Sequence, residues 1–418
     1  MLQIVVDKSR VLETEVVIIG AGPSGCSASL YLSKLGVDHV LVEKDSFPRD
    51  KVCGDALSGK VVSQLKALDP KWIEEIKALG SLYTPSWGVI FSAPDSNQVS
   101  IPFRHKPSEA EHSPGYIAKR LDFDSWLFSK IASPYATVLQ NSKVEDVEIS
   151  DEGAWTRGND FSIASKLVIS AEGTRTLLAK KYLSFELERE HHSAGLRAYY
   201  EGVSGMDEQG FIELHFVKES LPGYFWIFPL PNGQANVGIG MLSKYVSQKN
   251  VNLKRLMQEV IDSPKFKHRF KNARLQSKIL GWGLPLGSKK NRPISCNRLM
   301  LVGDSASVID PFTGEGIGNA MFTGKWAAQH AKQAIDLQRY DAAFMKGYDK
   351  TVYKKIGQEL RVSTIMLKLV NYPRLMSWMI RKIKRNDELR ESITFMFDNV
   401  DLRKKFTNPM FYLRILFK

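Results

Sequence analysis

Three groups of residues in this chain have the types and spacing to do chemistry. The first is Gly20-Ala21-Gly22-Pro23-Ser24-Gly25, a G-x-G-x-x-G run. In such a run the first glycine permits a tight turn, the second lets backbone N–H groups approach a diphosphate, and the third lets helix and strand pack closely. The second group is Lys51-Val52-Cys53-Gly54-Asp55. It sets a thiol beside a lysine, and a neighbouring cation favours the thiolate; a buried, inert cysteine is the other reading. The third is Gly303-Asp304, followed ten residues on by Gly314-Glu315-Gly316-Ile317-Gly318. An acid at a strand end can hold a sugar or ribityl hydroxyl. Glycines at a helix start expose N–H groups to an electron-rich acceptor.

Such groups need elements to position them. Residues 15–19 (EVVII) read as a buried parallel strand. Residues 26–35 read as a helix stopped at Gly36, and residues 39–42 as a second strand closed by Glu43. Glu43 stands 18 residues beyond Gly25, placed to accept hydrogen bonds from an adenosine ribose. KVCGD falls in a loop ahead of a helix from Ser58. Residues 85–103 and 136–171 read as short strands, with a turn at 151–153. Residues 115–126 run from strand into helix, with Arg120 near the helix start and Asp122 and Asp124 behind it. Residues 167–176 form a buried strand entering a Gly turn. Residues 194–242 give further strands, and 250–272 read as a basic helix. Residues 299–302 read as a buried strand ended by Gly303-Asp304, and 319–331 as a helix.

The 418 residues are 43% hydrophobic and 25% charged, a globular composition that excludes a disordered chain, a collagen and a disulfide scaffold. The length suggests two to three domains. Three cysteines (Cys26, Cys53, Cys296) make no framework of bridges, so a cytoplasmic location is expected. The first ten residues carry no secretory signal, and no apolar run is long enough to span a bilayer. No metal site is expected. Of the net charge of +13, residues 345–418 carry +10. In that region Ile365, Met366, Leu369 and Val370 can share one helix face, and Leu375, Trp378, Met379 and Ile383 a second, with Pro373 breaking the run. RKIKR (381–385) abuts the second face, and the final FTNPMFYLRILFK again mixes aromatics with cations. Two readings stand: an interfacial helix on anionic lipid at the inner face of the membrane, or a helical extension packed on the core. Nucleic acid is not the expected partner, because the aromatics cluster with aliphatics.

Together, GAGPSG, Glu43, KVCGD, Arg120, the Ala171-Glu172-Gly173 turn and the GD block resemble the flavoprotein group typified by p-hydroxybenzoate hydroxylase, across roughly residues 14–335. Within that group, KVCGD and LPGYFWIFP are similar to the geranylgeranyl reductase family. The resemblance implies an α/β fold: a discontinuous Rossmann-like FAD-binding domain (1–60, 115–180, 285–344), an antiparallel-sheet substrate domain (61–114, 181–284) and a basic C-terminal helical region (345–418). It implies non-covalent FAD. Carried over by position, Gly20, Gly22, Ser24 and Gly25 would surround the diphosphate, and Glu43 would take the adenosine ribose. Arg120 would contact the diphosphate or ribityl region, and Val144 would lie by the adenine. Gly303 and Asp304 would meet the ribityl or diphosphate portion. Gly316 and Ile317 would offer N–H groups to the N1/C2=O edge of the flavin. Cys53, Gly54 and Ala56 would lie close to the ring.

Two departures accompany the match. Where the group has Asp-Gly, this chain has Glu172-Gly173. The reductase pattern P-x-x-Y-x-W-x-F-P has its first proline displaced, Pro222 standing only two residues before Tyr224. Tyr224, Trp226, Phe228 and Pro229 match. From periodicity alone Tyr224, Trp226 and Phe228 are one face of a strand; as the wall of an apolar tunnel they would be candidate catalytic-site residues with Cys53. The function implied is saturation of C=C bonds in a polyprenyl lipid, with Cys53 or a water it positions near the reacting bond. The alternatives are a flavin monooxygenase or halogenase acting on an aromatic substrate, and a flavin-retaining carrier protein at a lipid surface. No second dinucleotide fingerprint is present, so the electron donor is expected to be NAD(P)H docking transiently or a redox protein.

Overall fold

The computed structural model describes residues 11–104, 112–174 and 177–398. The first ten residues, Arg175 and Thr176 of the middle turn, and the final FTNPMFYLRILFK lie outside the described residues. The fold is α/β, and its first layer is assembled from distant pieces of chain. Val11–Ile19 pairs in parallel with His39–Val42 on one side and Ser162–Ser170 on the other. Ala136–Leu139 and Leu299–Leu301 extend the sheet outwards, also in parallel. These strands are rich in Val, Ile and Leu, as strands covered on both faces must be. Helix Pro23–Lys34 covers one of those faces and packs along Ile317–Leu337. That long helix begins two residues before the expected 319, because Gly316 is its N-cap, and ends at Gln338 in the left-handed region (φ +53°).

The second layer is an antiparallel sheet, in which His192–Glu201, Gln234–Leu242, Gly223–Pro229 and Ile212–His215 are successive neighbours. Gly88–Ser92 joins Ile212–His215 in parallel and pairs with Gln98–Pro102 in antiparallel. A small third sheet, Ala56–Leu57 with Gly115–Ile117 and Thr84–Ser86, follows KVCGD. The expected basic helix over 250–272 is shorter, Leu253–Asp262. Pro264 follows its cap Ser263, and a residue before proline disfavours helical geometry.

The cores divide the chain differently from the sequence expectation at two places. Helices Gly59–Leu68 and Lys71–Ala78 were expected with the second domain, yet Val61, Leu65, Ile73 and Ile76 are buried in the core of the first. The basic region is also shared out. Met345, Tyr348, Val352 and Ile356 of helix Ala342–Leu369 join the first core. Met376, Ile380 and Ile383 of helix Pro373–Arg385 join the core of the antiparallel sheet. Pro373 sits at the start of this last helix, as expected. Its buried face is turned from the expected one: Met376, Ile380 and Ile383 are buried, whereas Leu375 and Trp378 stay half-exposed. Packing against strand Gln98–Pro102 sets that rotation, because an apolar stripe more than two residues wide can be seated in more than one way. Among the described residues, no helix is long and apolar enough to cross a membrane.

Two glycines flanking the turn between the first strand and the first helix, Gly20 and Gly25, tolerate no added atoms. Gly20 has φ +101°, and a Cβ on it would lie 2.4 Å from the Ala171 carbonyl oxygen. A Cβ on Gly25 would lie 1.8 Å from the Gly20 carbonyl oxygen. Gly25→Ala must therefore shift backbone, and should destabilise the fold by about 3 kcal/mol, the upper range for overpacking. Urea unfolding of the apoprotein at constant m-value checks this.

Candidate functional site

The carboxyl ends of the parallel strands open onto one cavity of about 830 Å³, towards the upper end of ordinary ligand pockets. Its two ends differ in character. Beneath the parallel sheet it is lined by Glu43, Arg49, Lys51, Arg120 and Asp304. Beneath the antiparallel sheet it is lined by Val89, Ile101, Leu214, Met376 and Ile380. The aromatic strand Gly223–Pro229 stands between them.

At the polar end, helix Pro23–Lys34 begins at Gly22 without a side-chain cap. Its first-turn N–H groups and partial positive charge are available to an anion. Gly22 and Ser24 line the cavity there. Gly25 and Gly303 stand behind the wall: Gly25 packs on Gly20, and Gly303 packs on Ser24. The Glu43 carboxylate is 4% exposed. Its Oε2 accepts the Ala21 N–H at 2.8 Å and its Oε1 the Asp45 N–H at 3.1 Å. Arg49 lies 3.6 Å from Glu43 and donates to Asp124 at 3.1 Å. Arg120 grips the same Asp124 carboxylate with two bonds of 2.6 and 2.7 Å. Each of these charges faces an opposite one, the condition for keeping ions away from water.

The cation at Cys53 is not the expected one. The Lys51 ammonium donates to Asp304 Oδ2 at 2.8 Å, where it meets a full negative charge instead of a thiol. Arg120 is the cation beside Cys53, close enough for the two to interact electrostatically. Glu172, which replaces the group's usual aspartate, accepts from Ser170 Oγ at 2.8 Å and from the Leu178 N–H at 3.2 Å. Its extra methylene lets it cap the helix that follows.

The aromatic strand ties two loops together. Side chains at alternate positions share a face, so Tyr224, Trp226 and Phe228 point the same way. The Tyr224 hydroxyl donates to the Thr313 carbonyl at 2.5 Å, in the loop before Gly316. Trp226 donates through Nε1 to Asn236 Oδ1 at 2.8 Å, and Asn236 donates to the Cys53 carbonyl at 2.8 Å. Phe228 lies 3.0 Å from where a Cβ on Gly54 would be. Burial pushes the Tyr224 hydroxyl well above the usual tyrosine range, so it remains a donor. Gly316 caps its helix without a side-chain bond, and the Gly318 N–H is already taken by Glu315 at 2.8 Å.

These residues fit FAD. An uncapped helix start suits a diphosphate, a buried carboxylate at the second strand end suits a ribose, and a second uncapped helix start suits an electron-rich ring edge. The family profile of the FAD binding domain matches residues 13–68, and that of the geranylgeranyl reductase catalytic domain matches residues 194–279. By these matches the chain resembles the geranylgeranyl reductase family of FAD-dependent oxidoreductases. It is 28% identical over 362 residues to digeranylgeranylglycerophospholipid reductase of Methanosarcina mazei, covering 84% of this chain and 83% of that one. It is 27% identical over 373 residues to menaquinone reductase of Mycobacterium tuberculosis, covering 87% and 85%. Among solved structures, a geranylgeranyl bacteriochlorophyll reductase-like protein of Thermoplasma acidophilum superposes with a TM-score of 0.76 at 24% identity, covering 90% and 93%. A flavin-dependent brominase superposes with a TM-score of 0.73 at 23% identity, covering 92% and 93%. These two likenesses concern the fold.

The cavity wall gathers Gly20, Gly22, Ser24, Glu43, Cys53, Gly54, Ala56, Arg120, Val144, Asp304, Gly316, Ile317, Tyr224 and Trp226. Sequence reasoning missed Arg49, Asp55 and Asn236. The spacing of Arg120 and Asp124, one helical turn apart, signalled an ion pair. Nothing local marked Asn236, a polar residue in a strand that is buried almost throughout.

Gly22 has φ −71°, and a Cβ there would meet only the end of Arg49 at 3.8 Å. Its need for glycine therefore comes from the ligand. Gly22→Ala should leave the apoprotein melting temperature unchanged within about 2 °C, less than ~1 kcal/mol for a chain this size, while weakening FAD retention by about tenfold or more. Melting of the apoprotein and flavin titration by fluorescence check the two halves.

Proposed function

We propose that this chain saturates C=C bonds in the polyprenyl chain of a lipid, and that Cys53, Tyr224 and Trp226 form the reacting end of its apolar cavity. The observation that carries the reading is the continuity of one cavity from the FAD-fitting polar end, past Cys53 and Trp226, to a wall of Val89, Ile101, Met376 and Ile380. The relatives named for a geranylgeranyl lipid and for menaquinone support it. FAD, once reduced, supplies a hydride to one alkene carbon, and a proton must reach the other. An isolated alkene is poorly polarised, so the protein's part is to hold the bond in near-attack geometry. The aliphatic wall holds the chain through burial, at about 0.8 kcal/mol per CH₂ withdrawn from water. Trp226 and Phe228 wall the reacting end and keep water out, and the Tyr224 hydroxyl fixes the Thr313 loop. Gly22, Ser24, Glu43, Arg49 and Asp304 would hold the dinucleotide. The Gly316–Ile317 helix start would face the ring edge that gains negative charge. Mixing prereduced protein with geranylgeranyl lipid in the absence of oxygen should reoxidise the flavin. A flavin that stays reduced until oxygen is admitted would exclude the reductase and point to oxygen-dependent chemistry.

The electron donor in this reading is NAD(P)H or a redox protein docking from outside, since the cavity is already shared between FAD and lipid. The lipid itself is drawn from a membrane surface. Helix Pro373–Arg385 turns Met376, Ile380 and Ile383 inwards over the apolar end of the cavity and leaves Lys384 and Arg385 exposed. Arg381 is held by Asp95. The helix therefore rests on anionic lipid through charge, at about 1 kcal/mol per cation at the surface. Flotation with vesicles containing phosphatidylserine should fall steeply between 50 and 500 mM salt, roughly a threefold change in Debye length. Equal flotation on neutral vesicles would remove this part of the proposal.

A further inference from the structure

We propose that Asn236 is a positioning residue for the reduction: its amide holds the Cys53 loop and Trp226 in one fixed relation, with Asp55 and Tyr199 locking the amide in place. This rests on the function proposed above. Asn236 is wholly buried. The indole N–H of Trp226 can only donate, so it must face Asn236 Oδ1, at 2.8 Å. The Cys53 carbonyl can only accept, so it must face Nδ2, also at 2.8 Å. The second hydrogen on Nδ2 goes to Asp55 Oδ2 at 2.8 Å, where the Tyr199 hydroxyl also donates at 2.8 Å. The amide thus has one permitted orientation and no donor to spare. Three segments meet at this one side chain: the Cys53 loop, the aromatic strand and the neighbouring strand His192–Glu201.

Asp55 shows how tightly the junction is held. It takes a left-handed φ of +69° and is fully buried, and its Oδ1 has no hydrogen-bond partner among the described residues. Strain of that kind persists only where the surroundings impose it. Burial pushes the Asp55 carboxyl up to about 6, although Asn236, Arg197, Tyr199 and Arg120 all pull it down. The charged and titratable groups around it are Arg197 and Tyr199 from strand His192–Glu201, Arg120 from helix Arg120–Ser129, and Asp50, Lys51 and Cys53 from its own loop. Arg197 is bonded to Asp50 at 2.9 Å and lies 4.1 Å over the Tyr199 ring, and Lys51 is bonded to Asp304. The two cations that act on Asp55, Arg197 and Arg120, are thus bonded to other carboxylates, Asp50 and Asp124. A carboxyl raised in this way stabilises the fold fully below its ordinary value of 3.8, and that contribution is lost as pH rises through about 6.

The test uses holoenzyme, prereduced without oxygen and mixed with geranylgeraniol in detergent micelles. Asn236→Ala should slow flavin oxidation by at least about tenfold, as a misplaced reacting pair does. Half-saturating lipid and FAD affinity should stay within about threefold, because neither touches Asn236. Asn236→Asp keeps the acceptor for Trp226, but donates to the Cys53 carbonyl only when the introduced carboxyl is protonated. Its rate should therefore climb as pH is lowered from 8 to 6, relative to wild type. Asp55→Asn should flatten the fall in melting temperature between pH 4 and 7. An Asn236→Ala rate within about twofold of wild type overturns the proposal, as does an Asn236→Asp pH profile that parallels it. Should Asn236→Ala fail to fold, the Asn236→Asp profile decides. Should the wild-type flavin not be oxidised by the lipid, the proposed function fails instead. The positioning is then judged from flavin fluorescence against pH, where Asn236→Asp must show a transition beyond the one that Asp55 gives wild type near pH 6.

Discussion

Tyr224, Trp226 and Phe228 leave one strand on one side, and their tips reach two loops that are far apart in sequence. Tyr224 holds the carbonyl of Thr313. Trp226, through Asn236, holds the carbonyl of Cys53. Phe228 fills the space that Gly54 leaves. Both loops belong to the parallel-sheet layer, yet the strand belongs to the antiparallel one. Period-two alternation thus turns a strand into a ruler that spaces the two loops. Without it, the parallel sheet would still form, but the loops would have nothing to set their separation.

The polar end of the cavity depends on a different economy. Glu43, Arg49, Asp124 and Arg120 alternate in sign, and each is buried or nearly so. Removing one member would leave its neighbour as an uncompensated buried charge, which costs about 3 to 5 kcal/mol. The same carboxylate that is expected to meet a ribose already accepts two backbone N–H groups. Ligand recognition and the turn after the first strand therefore share one side chain. An ionised carboxylate has about four acceptor sites, so the two tasks do not compete.

The apolar end is closed by chain from the basic region. Met376, Ile380 and Ile383 are buried against the antiparallel sheet, and the cations that follow lie on the outer face. The core-packed reading of this helix is the one its buried face bears out. Its exposed cations are what the proposal of a lipid surface rests on. That division explains why hydrophobic periodicity alone could not choose between a core helix and an interfacial one.

Several features were legible in the sequence because their causes are local. Gly20, Gly22 and Gly25 mark a turn and a helix start through backbone freedom alone. The Val/Ile runs at 15–19, 39–42 and 299–302 mark strands covered on both faces, and the cofactor and family followed from these with KVCGD and YFWIFP. What the sequence could not determine was which distant partner each polar group would find. Lys51 is adjacent to Cys53 in the chain but pairs with Asp304, because opposite full charges attract more strongly than an ammonium and a thiol. Arg120 is brought beside the Cys53 loop by helix Arg120–Ser129. Asn236 looks like any polar residue in a strand, and only the approach of Trp226, Cys53 and Asp55 gives its amide a task. The face that helix Pro373–Arg385 buries and the core that helix Gly59–Leu68 joins were likewise decided by packing. Local propensity sets which elements form; the contacts between them, which carry the site, exist only once the layers have closed.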